Sequence, residues 1–103
     1  MSEAALHQYK MQAKVWLYSG KATWHFVTLP KNQSQAITRF YGSLKRGWGS
    51  LPVRVTIGKT QWTTSIFPDR KAGAYILPLK ADVRKKEKIG EGDTVRFVIE
   101  VMP

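Results

Sequence analysis

The chain has no cysteine among its 103 residues. Without thiols it has no disulfide framework and no thiol chemistry. Disulfides are concentrated in proteins of oxidising compartments, so their absence favours a cytoplasmic protein. A chain of this length predicts one domain, covering residues 1–103 with an ordered core at about 9–101.

Long hydrophobic runs are also missing. No apolar stretch approaches the roughly 20 residues that a membrane-spanning helix needs. The chain starts with MSEAALHQ, which is polar and lacks the apolar segment of a signal peptide. We therefore expect no contact with a membrane.

Groups that catalyse reactions or bind metals are few and scattered. His7 lies in a terminus that we expect to fray, and His25 lies beside Trp24 in a predicted strand, without a nameable partner. Asp69 and Asp93 lie in predicted turns, where aspartate commonly accepts backbone N–H groups. Zinc needs about four clustered ligands, and the sequence offers none at usable spacing. We expect no catalytic residues, no metal and no cofactor, and an enzyme is less favoured than a binding protein.

Positive charge, by contrast, is in large excess. The 17 lysines and arginines stand against seven acidic residues, which gives a formal net charge of +10 and a pI of about 10.2. Such a surface attracts polyanions, of which nucleic acid is the commonest. The alternative is a solvated basic surface that only aids solubility.

Apolar residues alternate with polar ones along most of the chain. In Tyr9–Leu17 every second side chain is apolar or aromatic, which is typical of a strand with one buried face. Gly58-Lys59 fits a two-residue hairpin turn. The same reasoning predicts further strands at Trp24–Leu29, Val53–Ile57, Gln61–Phe67, Tyr75–Leu77 and Thr94–Val101, for a total of six or seven short strands.

Two segments have a helical pattern instead. Lys31–Tyr41 is amphipathic, and Lys80–Lys88 is a shorter basic segment. Pro30 and Pro78 end the strands that precede these helices. The plan of strand, proline, helix, turn and strand thus occurs twice, which indicates a duplication. The predicted fold is mainly β: a β-barrel with two short α-helices and a pseudo-two-fold axis.

The second of these units carries Leu77-Pro78, Val83-Arg84, Ile89 and Gly92-Asp93-Thr94-Val95. With these residues it resembles the swapped-hairpin half-barrel of AbrB-like transition-state regulators and MazE-type antitoxins. In that family two chains interlock into a double-split β-barrel, so the resemblance implies a single-chain version of that barrel. The DNA-binding role of those regulators is an analogy of fold and does not transfer by itself.

A further set of segments runs through nearly the whole chain: Arg46–Val55, Thr64–Asp69, Ala74–Ala81, Val83–Lys85 and Gly92–Val95. With them the chain resembles the bacterial domain-of-unknown-function family numbered 1905. That family has no established activity, so the resemblance implies a fold and leaves the function open.

The leading candidate site is cationic. In a helix over Lys80–Lys88, the side chains of Lys80, Arg84 and Lys88 fall at i, i+4 and i+8, with Lys85 on the same broad face. They form a stripe towards solvent, and such a stripe can follow a phosphate backbone, each contact releasing counterions. The alternative is a solvated helix face with no ligand.

A second pair of cations, Lys45 and Arg46, adjoins the turn Gly47-Trp48-Gly49-Ser50. Glycines in such a turn can expose backbone N–H groups to an anion. The alternative, which we favour, is a tight turn that tucks Trp48 into the end of the barrel.

Tryptophans offer a different kind of site. Trp16, Trp24, Trp48 and Trp62 are candidates for stacking on single-stranded bases, Trp16 above all because it lies on the polar face of its strand. More often such residues fill a small core or close a barrel end.

A small-molecule pocket in the barrel or at its mouth would be lined by Trp48, Arg54, Trp62 and Tyr75. A concave apolar pocket with a convergent cation would support this alternative, and a filled barrel would remove it.

The sequence therefore predicts a non-enzymatic binding module whose leading partner is DNA, RNA or another polyanion. The alternative is a small-molecule-binding protein, or an enzyme acting on an anionic ligand, at the Trp48/Trp62 end of the barrel. We expect a monomer, with a homodimer through paired strand edges as the alternative.

Overall fold

The computed structural model describes residues 8–20, 23–44 and 49–102. It has six strands and two α-helices, as predicted for a mainly β barrel, and a short 3-10 helix (Gly42–Leu44) follows the first α-helix. The strands are β1 (Gln8–Leu17), β2 (His25–Thr28), β3 (Leu51–Ile57), β4 (Thr60–Asp69), β5 (Ala74–Pro78) and β6 (Thr94–Val101). The helices are α1 (Lys31–Tyr41) and α2 (Ala81–Glu87). No helix in the described part of the chain is long and apolar enough to cross a bilayer.

The strands close into an antiparallel barrel in the order β1-β2-β5-β4-β3-β6. Two long strands change partner along their length. The β1 strand pairs with β6 as far as Lys14 and with β2 from Val15 onward. Similarly, β4 pairs with β3 as far as Ile66 and with β5 from Phe67 onward. The barrel thus consists of two sheets that share these two strands.

The ring of strands has an internal symmetry. Exchanging β1 with β4, β2 with β5, and β3 with β6 leaves the order of neighbours unchanged. Each half then reads strand, strand, helix, strand, with α1 in the first half and α2 in the second. The duplication predicted from the sequence is present in the topology.

Aliphatic side chains from all six strands fill the interior of the barrel. In β3 the alternation is strict, since Leu51, Val53, Val55 and Ile57 are buried and the residues between them are half-exposed. The helices close the core with residues such as Ile37 of α1. Because the core is a single packed cluster, the barrel is not a container for a ligand.

The β4 strand is longer than predicted, because it continues through Pro68. The backbone of Tyr75, which lies opposite Pro68, hydrogen-bonds elsewhere: its N–H donates to Ser34 Oγ and its carbonyl accepts from Leu29. The neighbouring strand therefore needs no N–H from Pro68. At this point β4 has also left β3, so the proline breaks no ladder.

Candidate functional site

The change of partner along β4 creates a cleft. The first half of β4 pairs only with β3, so its other edge separates from β5, and α2 lies across the gap. The space has a volume of about 670 Å³. We call it the aromatic cleft and define it by Trp24, Phe26, Trp62, Phe67, Lys80 and Arg84.

Four aromatic side chains give the cleft its apolar wall. Trp24 is 52% exposed and Phe67 is 37% exposed, whereas Trp62 packs partly against the core. Phe26 and Phe67 adjoin the buried residues Val27 and Ile66, and alternation along a strand turns them to the outside. Large aromatic groups in such positions expose apolar surface that the fold itself does not bury.

A second group of aromatic rings supports Phe26 from the side of β1. The rings of Trp16 and Phe26 stack with centroids 5.1 Å apart, and the Trp16 indole N–H donates to Thr28 Oγ1 at 2.9 Å. The ring centroid of Tyr18 lies 5.8 Å from that of Trp24 and 6.2 Å from that of Phe26. Trp16, expected to be the best stacking residue, thus orients Phe26 and does not line the cleft.

Arg84 is held at the rim of the cleft by groups from two elements. Its Nε donates to the carbonyl of Leu79 at 3.0 Å, and Nη2 lies 3.4 Å from the carbonyl oxygen of Thr23. Nη1 lies 3.4 Å from His25 Nε2. A guanidinium already oriented in this way loses little freedom when it binds an anion.

The imidazole of His25 has a defined role in this cluster. Its Nδ1 lies 3.0 Å from the carbonyl oxygen of Thr23, which can only accept, so Nδ1 carries the hydrogen. In the neutral ring Nε2 is then an acceptor for Arg84. The arrangement orients the arginine.

The cleft carries positive charge and has no acidic residue in its described lining. Its cations are Lys80 and Arg84. Among the described residues, one ion pair has its nitrogen and oxygen atoms within 4 Å of each other: Arg54 Nη1 lies 3.4 Å from Glu100 Oε1. The carboxylates of Asp69, Glu87 and Asp93 accept hydrogen bonds from backbone or hydroxyl groups of the fold, which leaves most described cations without a carboxylate partner.

The predicted stripe through Lys80, Arg84 and Lys88 does not form. The α2 helix ends at Glu87, and Lys88 follows it in the left-handed conformation, with φ of 57°. Lys88 consequently lines a separate depression, and Arg84 turns towards β2. Lys80 and Arg84 remain together at the cleft, while Lys85 is exposed on α2.

The residues of the predicted pocket are also dispersed. Trp62 lies in the aromatic cleft, whereas Tyr75 is 4% exposed beside α1. Arg54 pairs with Glu100 across β3 and β6. It lies on the strand next to Trp62 but on the opposite face, because Trp62 lies opposite the buried Val55. Tyr75 lies near the other end of β4. Trp48, Lys45 and Arg46 lie outside the described residues.

A second cleft, of about 940 Å³, lies between α1 and the end of β4. Two of its polar side chains serve the fold: Ser34 Oγ accepts from the Tyr75 N–H at 3.0 Å, and the Thr38 hydroxyl donates to the Tyr75 hydroxyl at 3.3 Å. Its charged lining residues are Arg39, Arg70 and the carboxylate of Asp69, whereas the described lining of the aromatic cleft has no acid. The aromatic cleft is therefore the stronger candidate.

No group of three or more potential metal ligands occurs among the residues that the structure describes. The described lining of the aromatic cleft combines aromatic side chains, two cations and the side chains of Thr23, Thr63 and Thr64. Its apolar wall and its positive charge can bind a ligand that is apolar on one side and anionic on the other.

Comparison with known proteins places this barrel in a family. The chain matches the family described as Domain of unknown function (DUF1905) over residues 12–99. It belongs to that family. The match runs from β1 to β6 and includes all the residues that define the aromatic cleft. No curated protein matches the chain.

Sequence reasoning missed Phe26, Phe67 and His25 as parts of the site. The signal for the two phenylalanines was available, since each adjoins an apolar residue that alternation turns inward. The contact of His25 with Arg84 had no local signal, because the two residues are 59 positions apart.

Proposed function

We propose that the protein is a non-enzymatic binding module for nucleic acid or another polyanion. The observation that carries this proposal is the pair Lys80 and Arg84 at an apolar cleft whose described lining has no acidic residue. The formal net charge of +10 supports it, because a polyanion is drawn to the protein before any contact forms.

The exposed face of α2 extends this positive surface. Lys85 and Lys86 are exposed there and have no carboxylate within 4 Å among the described residues. Each phosphate that such a cation contacts releases counterions, so affinity falls as salt rises. Contacts of this kind give affinity without base sequence preference.

The test is fluorescence anisotropy of labelled DNA, RNA and inorganic polyphosphate from about 50 to 200 mM salt. The variant Lys80→Ala/Arg84→Ala/Lys85→Ala should bind more weakly, with a log–log salt slope shallower by about 2. The matched control is Lys10→Ala/Lys14→Ala/Arg96→Ala, which removes three exposed cations of β1 and β6 that do not line the cleft. It should keep the slope closer to that of the wild type.

Arg84 has structural contacts, so a second pair of variants leaves it in place. The double variant Lys80→Ala/Lys85→Ala is compared with Lys10→Ala/Lys14→Ala, and all four of these side chains are exposed. Absence of binding at low salt, or equal binding by the two variants, contradicts the proposal.

The proposal also covers the type of barrel, the oligomeric state and the location in the cell. We take the barrel to be a single-chain form of the AbrB-like double-split barrel, and the exchange symmetry of its strand order supports this. We take the protein to act as a monomer, since the closed ring pairs every strand with two neighbours. A cytoplasmic location agrees with the lack of cysteine.

A small anionic molecule with an apolar part is the second candidate ligand. The cleft volume of about 670 Å³ lies in the range of ligand pockets, roughly 300–1,000 Å³. The dependence of affinity on the length of the nucleotide chain distinguishes the two candidate ligands. A mononucleotide that binds as tightly as an oligonucleotide favours the small molecule, and affinity that rises with length favours the polyanion.

A further inference from the structure

Exposed aromatic groups concentrate beside the aromatic cleft. Among the described residues, Tyr18, Trp24 and Phe67 are large hydrophobic side chains that remain exposed on the strands and at their ends. The other two, Phe40 and Leu44, lie in and just after α1. Cations accompany the first group, where Lys80 and Arg84 share the cleft with Trp24 and Phe67.

The register of the strands joins these groups into a continuous strip. Phe26 of β2 lies opposite Pro78 of β5, and Ile76 of β5 lies opposite Phe67 of β4. All four adjoin residues that point into the barrel, so they lie on the outer face. Three strands about 4.8 Å apart make a strip roughly 10 Å wide, which is room for two or three stacked bases.

Positive charge lies along the α2 side of this strip. Lys80 and Arg84 stand at its α2 side, and the described residues of the cleft include no acid. A ligand that fits must be flat and apolar on one side and anionic on the other. Single-stranded nucleic acid has this character, whereas a duplex keeps its bases stacked inside and presents only phosphates.

Resting on the polyanion-binding function proposed above, we infer that the aromatic cleft receives unpaired bases and makes the protein selective for single strands. Bases stack on Trp24, Phe67 and the strip between them, and Lys80 and Arg84 contact the adjoining phosphates. The cationic face of α2 alone would bind duplex and single strand alike, so the aromatic groups supply the preference.

The test compares a single strand of about 12 nucleotides with its duplex and with inorganic polyphosphate, by anisotropy at low salt. The wild type should prefer the single strand by about tenfold or more. In Trp24→Ala/Phe67→Ala, single-strand affinity should fall roughly 5- to 100-fold for each lost stack, while duplex and polyphosphate affinity stay unchanged. Phe40→Ala, which removes an exposed aromatic ring from α1, is the control and should change nothing.

If the double alanine variant fails to fold, Trp24→Leu and Phe67→Leu keep apolar bulk without an aromatic face and should also lower single-strand affinity. Unchanged single-strand affinity in the folded variants, or a duplex that binds as tightly as the single strand, overturns the inference while leaving polyanion binding intact. Binding of anionic phospholipid vesicles that depends on Trp24 and Phe67, without such dependence for the oligonucleotide, also overturns it. Failure of every polyanion to bind at low salt removes the proposed function itself.

Discussion

Arg84 shows how much a single side chain decides in this protein. A lysine at the same position would carry the charge but could not reach the carbonyl groups of Leu79 and Thr23 with a planar fork. The guanidinium connects α2 to the start of β2 and holds its positive charge at the mouth of the cleft. Helical periodicity could not have predicted this, because Thr23 is 61 positions away in sequence.

Tyr9 provides a second residue with a physical consequence. Its side chain packs against the core, and burial, with the nearby Tyr41, raises the pKa of its phenol above the ordinary value of 10.0. The folded protein therefore keeps the phenol proton to higher pH than the unfolded chain does. Stability from this group is complete below the unfolded pKa and is lost as pH rises through the folded pKa.

We predict that the free energy of unfolding declines between about pH 9 and pH 11 and that Tyr9→Phe makes this decline shallower. Urea denaturation across this pH range measures it. Tyr18→Phe, at an exposed ring, is the control and should leave the slope unchanged. Identical pH profiles for wild type and Tyr9→Phe would refute the account of Tyr9.

At the scale of elements, the sequence pattern predicts a helix through Lys88, but the backbone ends α2 at Glu87. The helix stops because Lys88 adopts φ of 57°, and the N–H of Ile89 then donates to the carbonyl of Arg84 at 2.9 Å. Ile89 packs against the core, so the turn anchors the chain before β6. A left-handed conformation costs a residue with a Cβ roughly 1 kcal/mol or more, and glycine avoids this cost.

Lys88→Gly is therefore expected to raise the free energy of unfolding by about 0.5–1 kcal/mol. The matched control is Lys85→Gly inside α2, where glycine should lower it by up to about 1 kcal/mol. Chemical denaturation measures both changes. A loss of stability in Lys88→Gly similar to that in Lys85→Gly would contradict the proposed helix end.

Elements differed in how well the sequence predicted them. Strands with one buried face, such as Val53–Ile57, follow directly from alternation and were confirmed. The end of β4 was predicted too early, since proline is tolerated there only because Tyr75 directs its hydrogen bonds elsewhere. The candidate pocket was predicted from residue types alone. Its residues lie on the neighbouring strands β3, β4 and β5, but alternation turns Arg54 and Trp62 to opposite faces, and the register places Tyr75 near the other end of β4.

On the scale of the whole molecule, the halves share one topology but differ along the edge that each helix approaches. In the first half, the Gln33 side chain of α1 donates to the carbonyl of Lys10 on β1 at 3.0 Å. In the second half, Glu87 of α2 accepts from the Thr60 hydroxyl at 2.6 Å at the start of β4, and the aromatic cleft lies further along that strand. The cleft thus lies where β4, β5 and α2 of the second half meet β2 of the first half, and its lysine and arginine come from the second half.

The location of the ligand is the central claim, and amide chemical shifts of the labelled protein titrated with a single-stranded oligonucleotide test it most directly. We predict shifts confined to Thr23–Phe26, Trp62–Phe67 and Ile76–Arg84, with Lys10–Gln12 of β1 and Arg96 of β6 unchanged. Shifts centred on the β1–β6 side, or no shifts at low salt, would contradict the assignment of the aromatic cleft as the binding site.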